Sequence, residues 1–335
     1  MKSVSLKQGQ HWVIQPPNWL GDVIMAQPAI KAIVAFAHSQ QHTVSLDGRG
    51  WLKDLLPYLN LGSSVAIAMQ MQPSSMTNTT IVLFPNSLGS AWRAYRAGYQ
   101  QRIGFSGQWR SLLLSHPCKP QHNMRTEHHR DYFLDLAAQI GAPIDNRDVT
   151  LQAPELARQT AHNLMKSNHL DPSKVICIAP GAQYGNAKRY PATLYNRIIQ
   201  SLAAQGWHFI ALGMQEEHDI CSQCLHGINT PYWNSAGTTT LAEALALVAT
   251  CRLLLCNDSG LMHVAAGLGQ PVVALFGATD PQRTHPSGNH VNLIYNPADC
   301  SPCLQRECQV EGHPCMSNIT PAQVINACEE ALQFK

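Results

Sequence analysis

The chain has 335 residues, 45% hydrophobic and 13% charged, which suits about two domains of ordinary size and argues against disorder or a fibrous repeat. No uncharged apolar run reaches the roughly 18 residues of a membrane-spanning helix, and MKSVSLKQGQHW at the start lacks the apolar core of a signal peptide. A soluble protein of the cell interior is therefore expected. The net charge of +2 divides unevenly: residues 1–150 carry 13 Lys+Arg against 8 Asp+Glu, a net of +5, and residues 151–335 carry 10 against 13, a net of −3.

In chain order, HWVIQ (11–15) reads as a first strand, followed by the turn PPNWLG and a helix from about Asp22 to Ala37. Pro28 falls within that helix, which is expected to begin late or kink there. TTIVLF (79–84) is a buried strand. Next comes a basic stretch holding Arg93, Arg96, Arg102, Arg110, Lys119, Arg125 and Arg130, four histidines, and Glu127 as its only acid. It suits either an anionic partner or a solvated basic face. A helix from Asp131 to Ile140 stops at Gly141, and the polar segment to Pro154 marks a boundary between domains 1–155 and 156–335.

The second half alternates more regularly. Strands are predicted at VICIAP (175–180), WHFIALG (207–213), RLLLCN (252–257) and PVVALFG (271–277), with a helix over 192–204. Thr240 with Glu243, and Thr320-Pro321 with Gln323, have the spacing of capping boxes. Whether the last helix, 321–333, packs back on the first domain is left open. Strands alternating with helices throughout predict an α/β protein with mainly parallel sheets.

The strongest local signal is a strand running into Asn257-Asp258-Ser259-Gly260 and then a helix through Leu261 and His263. Glycine lets backbone approach a ligand, and free amides at a helix start attract anions. Ser259, Gly260 and Leu261 are thus candidates to hold a diphosphate, with simple capping by Asp258 or Ser259 as the bland alternative. His263 is equally readable as a core residue. Lys188 and Arg189, in another strand-to-helix loop, can neutralise phosphate, although the P-loop spacing is absent. In the first domain, Gly21-Asp22 offers a carboxylate for accepting a proton or for capping the helix. Trp19 beside it offers an aromatic surface or belongs to the core.

No Asp-x-Asp pair and no G-x-G-x-x-G occurs, so neither a carboxylate-held metal–nucleotide complex nor a nicotinamide enzyme is favoured. Cys300, Cys303, Cys308 and Cys315 follow a C-x-x-C start, but without the second knuckle of a zinc finger. A structural metal there is the lesser alternative to free thiols.

The run Pro17-Asn18-Trp19-Leu20-Gly21-Asp22-Val23-Ile24-Met25-Ala26-Gln27-Pro28 resembles the N-terminal signature of the ADP-heptose:lipopolysaccharide heptosyltransferases, glycosyltransferase family nine. Pro180-Gly181-Ala182 through Lys188-Arg189-Tyr190-Pro191 and Asn257 through Ala266 resemble that family's two nucleotide-domain loops, and the cysteine cluster resembles its C-terminal end. Met25-Ala26-Gln27 is closer to the branch that adds the second heptose. The resemblance implies a GT-B fold, two Rossmann-like domains facing across a cleft, with acceptor on the first and sugar nucleotide on the second. It implies inverting transfer from ADP-heptose to the first heptose of the lipopolysaccharide inner core (Kdo and lipid A), no cofactor and no nucleic acid. It also implies peripheral contact with the inner membrane from the cytoplasmic face. Asp22 matches the general base and Lys188 the diphosphate cation. Asp258 matches the carboxylate near the donor sugar, and Ser259, Gly260, Leu261 and His263 lie in the donor turn. Glu216 or Glu217 matches a ribose contact, and Trp19, Gly21, Arg93, Arg96 and Arg125 are placed with the acceptor. Tyr190 and Asn18 stand where familiar members carry Trp and Ser.

Overall fold

The computed structural model describes residues 10–62, 65–68, 79–107 and 109–333. Residues 1–9, on which the expectation of no leader rests, lie outside them. The chain forms two compact units, Met1–Thr150 and Leu151–Lys335.

The first unit is built on strands β1 (His11–Gln15), β2 (Thr43–Asp47), β3 (Ala66–Ala68), β4 (Thr79–Leu83), β5 (Gln101–Phe105) and β6 (His116–Cys118), with helices α1 (Leu20–Ser39), α2 (Leu52–Leu55), α3 (Leu88–Arg96) and α4 (His129–Ile140). The strands are parallel in the order β3-β2-β1-β4-β5-β6. β4 is buried at every position, as expected for a parallel strand with both faces covered. The first helix departs from expectation. It begins at Leu20, ahead of Asp22, and runs unbroken through Pro28 to Ser39. Proline removes only its own amide donor, and its neighbour Gln27 is fully buried, donating to the carbonyls of Leu59 (2.8 Å) and Thr150 (3.0 Å). α1 is also long and apolar enough to cross a bilayer by length and composition, which the search for uncharged runs did not anticipate. Its apolar residues, among them Ile24, Ile30, Ile33 and Val34, are buried in this unit, where α1 packs against α4.

The second unit contains α5 (Glu155–Ser167), β7 (Val175–Ala179), α6 (Ala192–Ala204), β8 (His208–Ala211), α7 (His218–Cys224), β9 (Tyr232–Asn234), α8 (Leu241–Thr250), β10 (Leu253–Asn257), α9 (Gly260–Gly267), β11 (Val272–Phe276), α10 (Pro281–Thr284), β12 (Val291–Tyr295), α11 (Pro314–Ser317) and α12 (Pro321–Leu332). Its strands are parallel in the order β12-β11-β10-β7-β8-β9. Counted within the unit this is the order of the first sheet. Both capping boxes form, with Glu243 N donating to Thr240 Oγ1 (3.2 Å) and Gln323 N to Thr320 Oγ1 (3.3 Å). The last helix, whose return to the first domain had been left open, packs on α6 and on β10 to β12 of its own unit.

In each sheet the order reverses between the first and fourth strand of the unit, at β1/β4 and at β7/β10. Loops leaving neighbouring strands in opposite directions open a crevice at their carboxyl ends, where ligands of open α/β sheets bind.

Candidate active site

At the switch point of the second unit, two loops are tied together by one side chain. Asn257, the last residue of β10, is fully buried. It accepts from the amide of Tyr190 (3.2 Å) and donates to the carbonyls of Pro180 (2.7 Å) and Gly181 (3.2 Å). The loop after β7 is thereby fixed beside the turn after β10. Lys188 in the first loop then meets Asp258 in the second, Nζ to Oδ2 at 2.6 Å, with side chains only 14% and 6% exposed. Thr279, just after β11, donates to the same carboxylate oxygen at 2.5 Å. The Lys188 ammonium also lies 4.8 Å from the centre of the Tyr184 ring, within cation–π range.

Asp258 is therefore held by Lys188 and Thr279, and Ser259, the N-cap residue of α9, makes no side-chain capping bond. The Ser259 hydroxyl is buried and has no hydrogen-bond partner among the described residues, and burial raises the pKa of the Cys256 thiol near the end of β10. The amides of Gly260 and Leu261 in the first turn of α9 thus have no side-chain cap, an arrangement with the chemistry to receive an anion. His263, one turn in, is buried and belongs to the packing of α9.

The two glutamates are distinguished by burial. Glu216 is exposed, whereas Glu217 is buried, and its carboxylate accepts from the amide of Met214 (2.8 Å). A Cβ on Gly181 would run into the Glu217 carboxylate, so that glycine is required by close approach of the two loops. Of the pair, Glu217 is the one beside the Lys188 loop.

The cysteine-rich segment supports this loop. Ala187 N donates to the carbonyl of Arg306 (3.0 Å), Tyr184 donates its hydroxyl to that of Leu304 (2.9 Å), and His313 Nε2 donates to that of Ala187 (2.9 Å). Gly185 has φ +156°, and a Cβ there would strike the Arg306 carbonyl. Cys300, Cys303, Cys308 and Cys315 are free thiols, and among the described residues no three His, Cys, Asp or Glu groups are arranged to hold a metal ion. Tyr190 is fully buried and donates its hydroxyl to the Ile319 carbonyl (2.8 Å), a bond an indole of different shape would make differently. Burial pushes its phenol up to about 12.

In the first unit, Asp22 lies in the first turn of α1 while Trp19 holds the N-cap position. The carboxylate therefore does not cap the helix, and it stands where the helix dipole favours negative charge. His129, at the start of α4, presents Nδ1 to Asp22 Oδ1 at 3.8 Å, and its Nε2 lies 3.1 Å from the Met124 carbonyl. A carbonyl only accepts, so Nε2 carries a hydrogen and Nδ1 is the nitrogen that can take a second proton beside Asp22. This pairing was missed in the sequence, where His129 was one member of a basic block.

That block is not one face. Arg110 is 1% exposed, its Nη1 donating to Asn86 (3.3 Å), and burial lowers its pKa. Arg102 donates to the backbone carbonyls of Leu113 and Tyr99, and Arg130 pairs with Asp131 (3.2 Å). Arg93 and Arg96 on α3, and Arg125 before α4, remain exposed. Trp19 is 48% exposed and so is not a core residue, while Gly21 sits beside Asp22 in the first turn of α1.

The family model for glycosyltransferase family 9 (heptosyltransferase) matches residues 76–313. The lipopolysaccharide heptosyltransferase 2 of Escherichia coli K12 is 27% identical over 337 residues, covering 92% of this chain and 94% of its own. The solved structure of the E. coli ADP-heptose heptosyltransferase II superposes with a TM-score of 0.79 at 26% identity, over 97% of this chain and 99% of its own. A family 9 glycosyltransferase from Veillonella parvula superposes at 0.81 with 18% identity, over 98% of each chain.

Proposed function

The chain belongs to glycosyltransferase family 9, and on that premise we propose that it moves a heptose from ADP-heptose to the first heptose of the lipopolysaccharide inner core, with inversion at the anomeric carbon. The relatives named for heptosyltransferase II activity support the substrates. The observation that carries the donor half is the Lys188–Asp258 pair beside the uncapped first turn of α9.

In this mechanism the diphosphate of the donor competes with Asp258 for the Lys188 ammonium. Binding releases the Asp258 carboxylate, still held by Thr279, to accept hydrogen bonds from heptose hydroxyls. Glu217 lies beside this loop as the ribose contact, and Glu216, exposed, is the lesser candidate. Asp22 takes the proton from the acceptor hydroxyl as that oxygen attacks the anomeric carbon. The bond from that carbon to the β-phosphate oxygen breaks, its electron pair leaves with ADP, and the charge is met by Lys188 and the amides of Gly260 and Leu261. His129 Nδ1 provides a second position for the proton that Asp22 receives. Trp19, Gly21 and Arg125 are assigned to the acceptor, whose Kdo carboxylates and lipid phosphates suit the basic first unit, and the protein works at the cytoplasmic face of the inner membrane.

The test is release of ADP from ADP-heptose with heptosyl-Kdo2-lipid A, with Kdo2-lipid A, or with no acceptor. Release only with heptosyl-Kdo2-lipid A is expected. Release with Kdo2-lipid A instead would make this a first-heptose enzyme, and release with neither would remove the substrate assignment.

A further inference from the structure

Helix α3 is built the wrong way round for a core helix. Its buried positions are Ser90, Ala91 and Ala94, while Leu88, Trp92 and Tyr95, spaced by four and three residues, are 45%, 48% and 50% exposed. An apolar stripe at that spacing normally faces the interior. The Trp92 and Tyr95 rings stack with centroids 5.9 Å apart. Arg96 lies 6.0 Å from the Trp92 ring and Arg102 5.4 Å from the Tyr95 ring. The turn after β5 packs beside α3 and adds Trp109 and Leu112, 85% and 84% exposed. Trp109 has φ +63°, a left-handed conformation that is uncommon for a bulky residue, and it holds the indole outward. Along the chain no acidic residue occurs between Asp54 and Glu127, and Arg93 and Arg96 are exposed on α3 itself.

We infer that this face docks the first unit on the surface of an anionic phospholipid bilayer, with Trp92, Tyr95, Trp109 and Leu112 entering the interface and Arg93 and Arg96 meeting the headgroups. Amphipathic aromatic rings settle at the headgroup level, and a helix with aromatic and leucine side chains beside arginines binds in the plane of the interface. Charge complementarity selects this occupant over a second copy of the chain, because a two-fold contact would set arginines of one face against arginines of the other. The inference extends the proposed function only in that a lipid-anchored acceptor lies at such a surface. It moves Arg93 and Arg96 from the acceptor sugar to the lipid.

The experiment is co-sedimentation with vesicles of phosphatidylglycerol and phosphatidylcholine, against vesicles of phosphatidylcholine alone. The parent protein is expected to bind the anionic vesicles at least tenfold more tightly. Arg93→Gln/Arg96→Gln should weaken that binding about twenty-fivefold, about fivefold or 1 kcal/mol for each arginine. Trp109→Ala/Leu112→Ala should weaken it at least tenfold while leaving turnover of a heptosyl-Kdo acceptor without acyl chains at the parental rate. The docking surface is refuted if the parent ignores anionic vesicles, if Trp109→Ala/Leu112→Ala binds them equally well, or if sedimentation shows a dimer that the same substitutions dissolve. Vesicle binding by a protein that turns over neither acceptor would instead refute the transferase assignment and leave the docking surface standing.

Discussion

If the donor diphosphate must take Lys188 away from Asp258, the two partners respond oppositely to substitution. Their side chains are 14% and 6% exposed and meet at 2.6 Å, so the pair counts as buried, and removing one charge strands the other. Such a loss costs about 3–5 kcal/mol. Asparagine at 258 still accepts a bond from Thr279 and Lys188, so about 3 kcal/mol is expected for Asp258→Asn. At about 2–4 °C per kcal/mol for a unit of this size, its transition in calorimetry should fall about 6–12 °C without ligand. ADP then binds a lysine that has nothing to give up, so its affinity should rise about tenfold, equivalent to about 1.4 kcal/mol. The upward shift in melting temperature on adding ADP should exceed the parent's. Lys188→Ala removes a charge-assisted bond to the diphosphate worth about 1.5–3 kcal/mol, and ADP should bind it at least about tenfold more weakly. Calorimetric titration of ADP into both variants decides the matter. The competition is refuted if both weaken ADP binding alike, or if Asp258→Asn melts within about 2 °C of the parent.

Four further outcomes are expected. Asp22→Asn should lower transfer by about 100- to 10,000-fold, the span of general base catalysis, with ADP-heptose binding unchanged. His129→Asn should cost about fivefold or more in kcat, from about 1 kcal/mol or more of interaction at this distance; a parental kcat for either would exclude its role. Gly185→Ala should destabilise the second unit by about 1–3 kcal/mol from backbone strain, with an added cost from the Arg306 carbonyl, and should weaken ADP binding; unchanged melting would show that the loop is not pinned. Finally, burial lowers the pKa of His11, His42 and His116, with Arg102 adding to the effect at His116. Below the unfolded value of about 6.5 the unfolded chain then binds more protons than the folded one, so stability falls with pH from 6.5 down to the lower folded values. The melting temperature should drop between pH 7.5 and 5.5, and a rise would contradict the assignment.

The elements that sequence pattern makes visible are those whose signal is local. β1, α6 and the two capping boxes are found where apolar runs and i, i+3 polar spacing place them. Wholly apolar strands such as β7, and β10 up to its last residue, are also legible, because a parallel strand covered on both faces needs no alternation. TVSLD of β2 and QRIGF of β5 are polar in part, and their strand character comes from pairing with β1 and β4. Pro28 misleads for a similar reason: the helix is held by α4 and by Gln27, which binds a carbonyl more than a hundred residues away. The turn between β10 and α9 was legible as a strand-to-helix motif. The pairing of Asp258 with Lys188 was not, since it depends on Asn257 holding a loop some seventy residues earlier. Likewise the run of cations from Arg93 to Arg130 does not reveal which guanidinium goes inside, and Arg110 does.

The bonds from Leu304, Arg306, His313 and Ile319 to the loop of Lys188 also bear on when this protein becomes competent. During synthesis the β7 loop leaves the ribosome more than a hundred residues before the backbone groups that hold it, and until they arrive the Ala187 amide and the Tyr190 hydroxyl lack their partners. Contacts of such sequence separation form late. Nascent chains halted short of the cysteine-rich segment lack these partners and the packing of α12 on α6 and the sheet, and should be unable to retain ADP. Assembly of this loop is in this sense a completion signal for the unit.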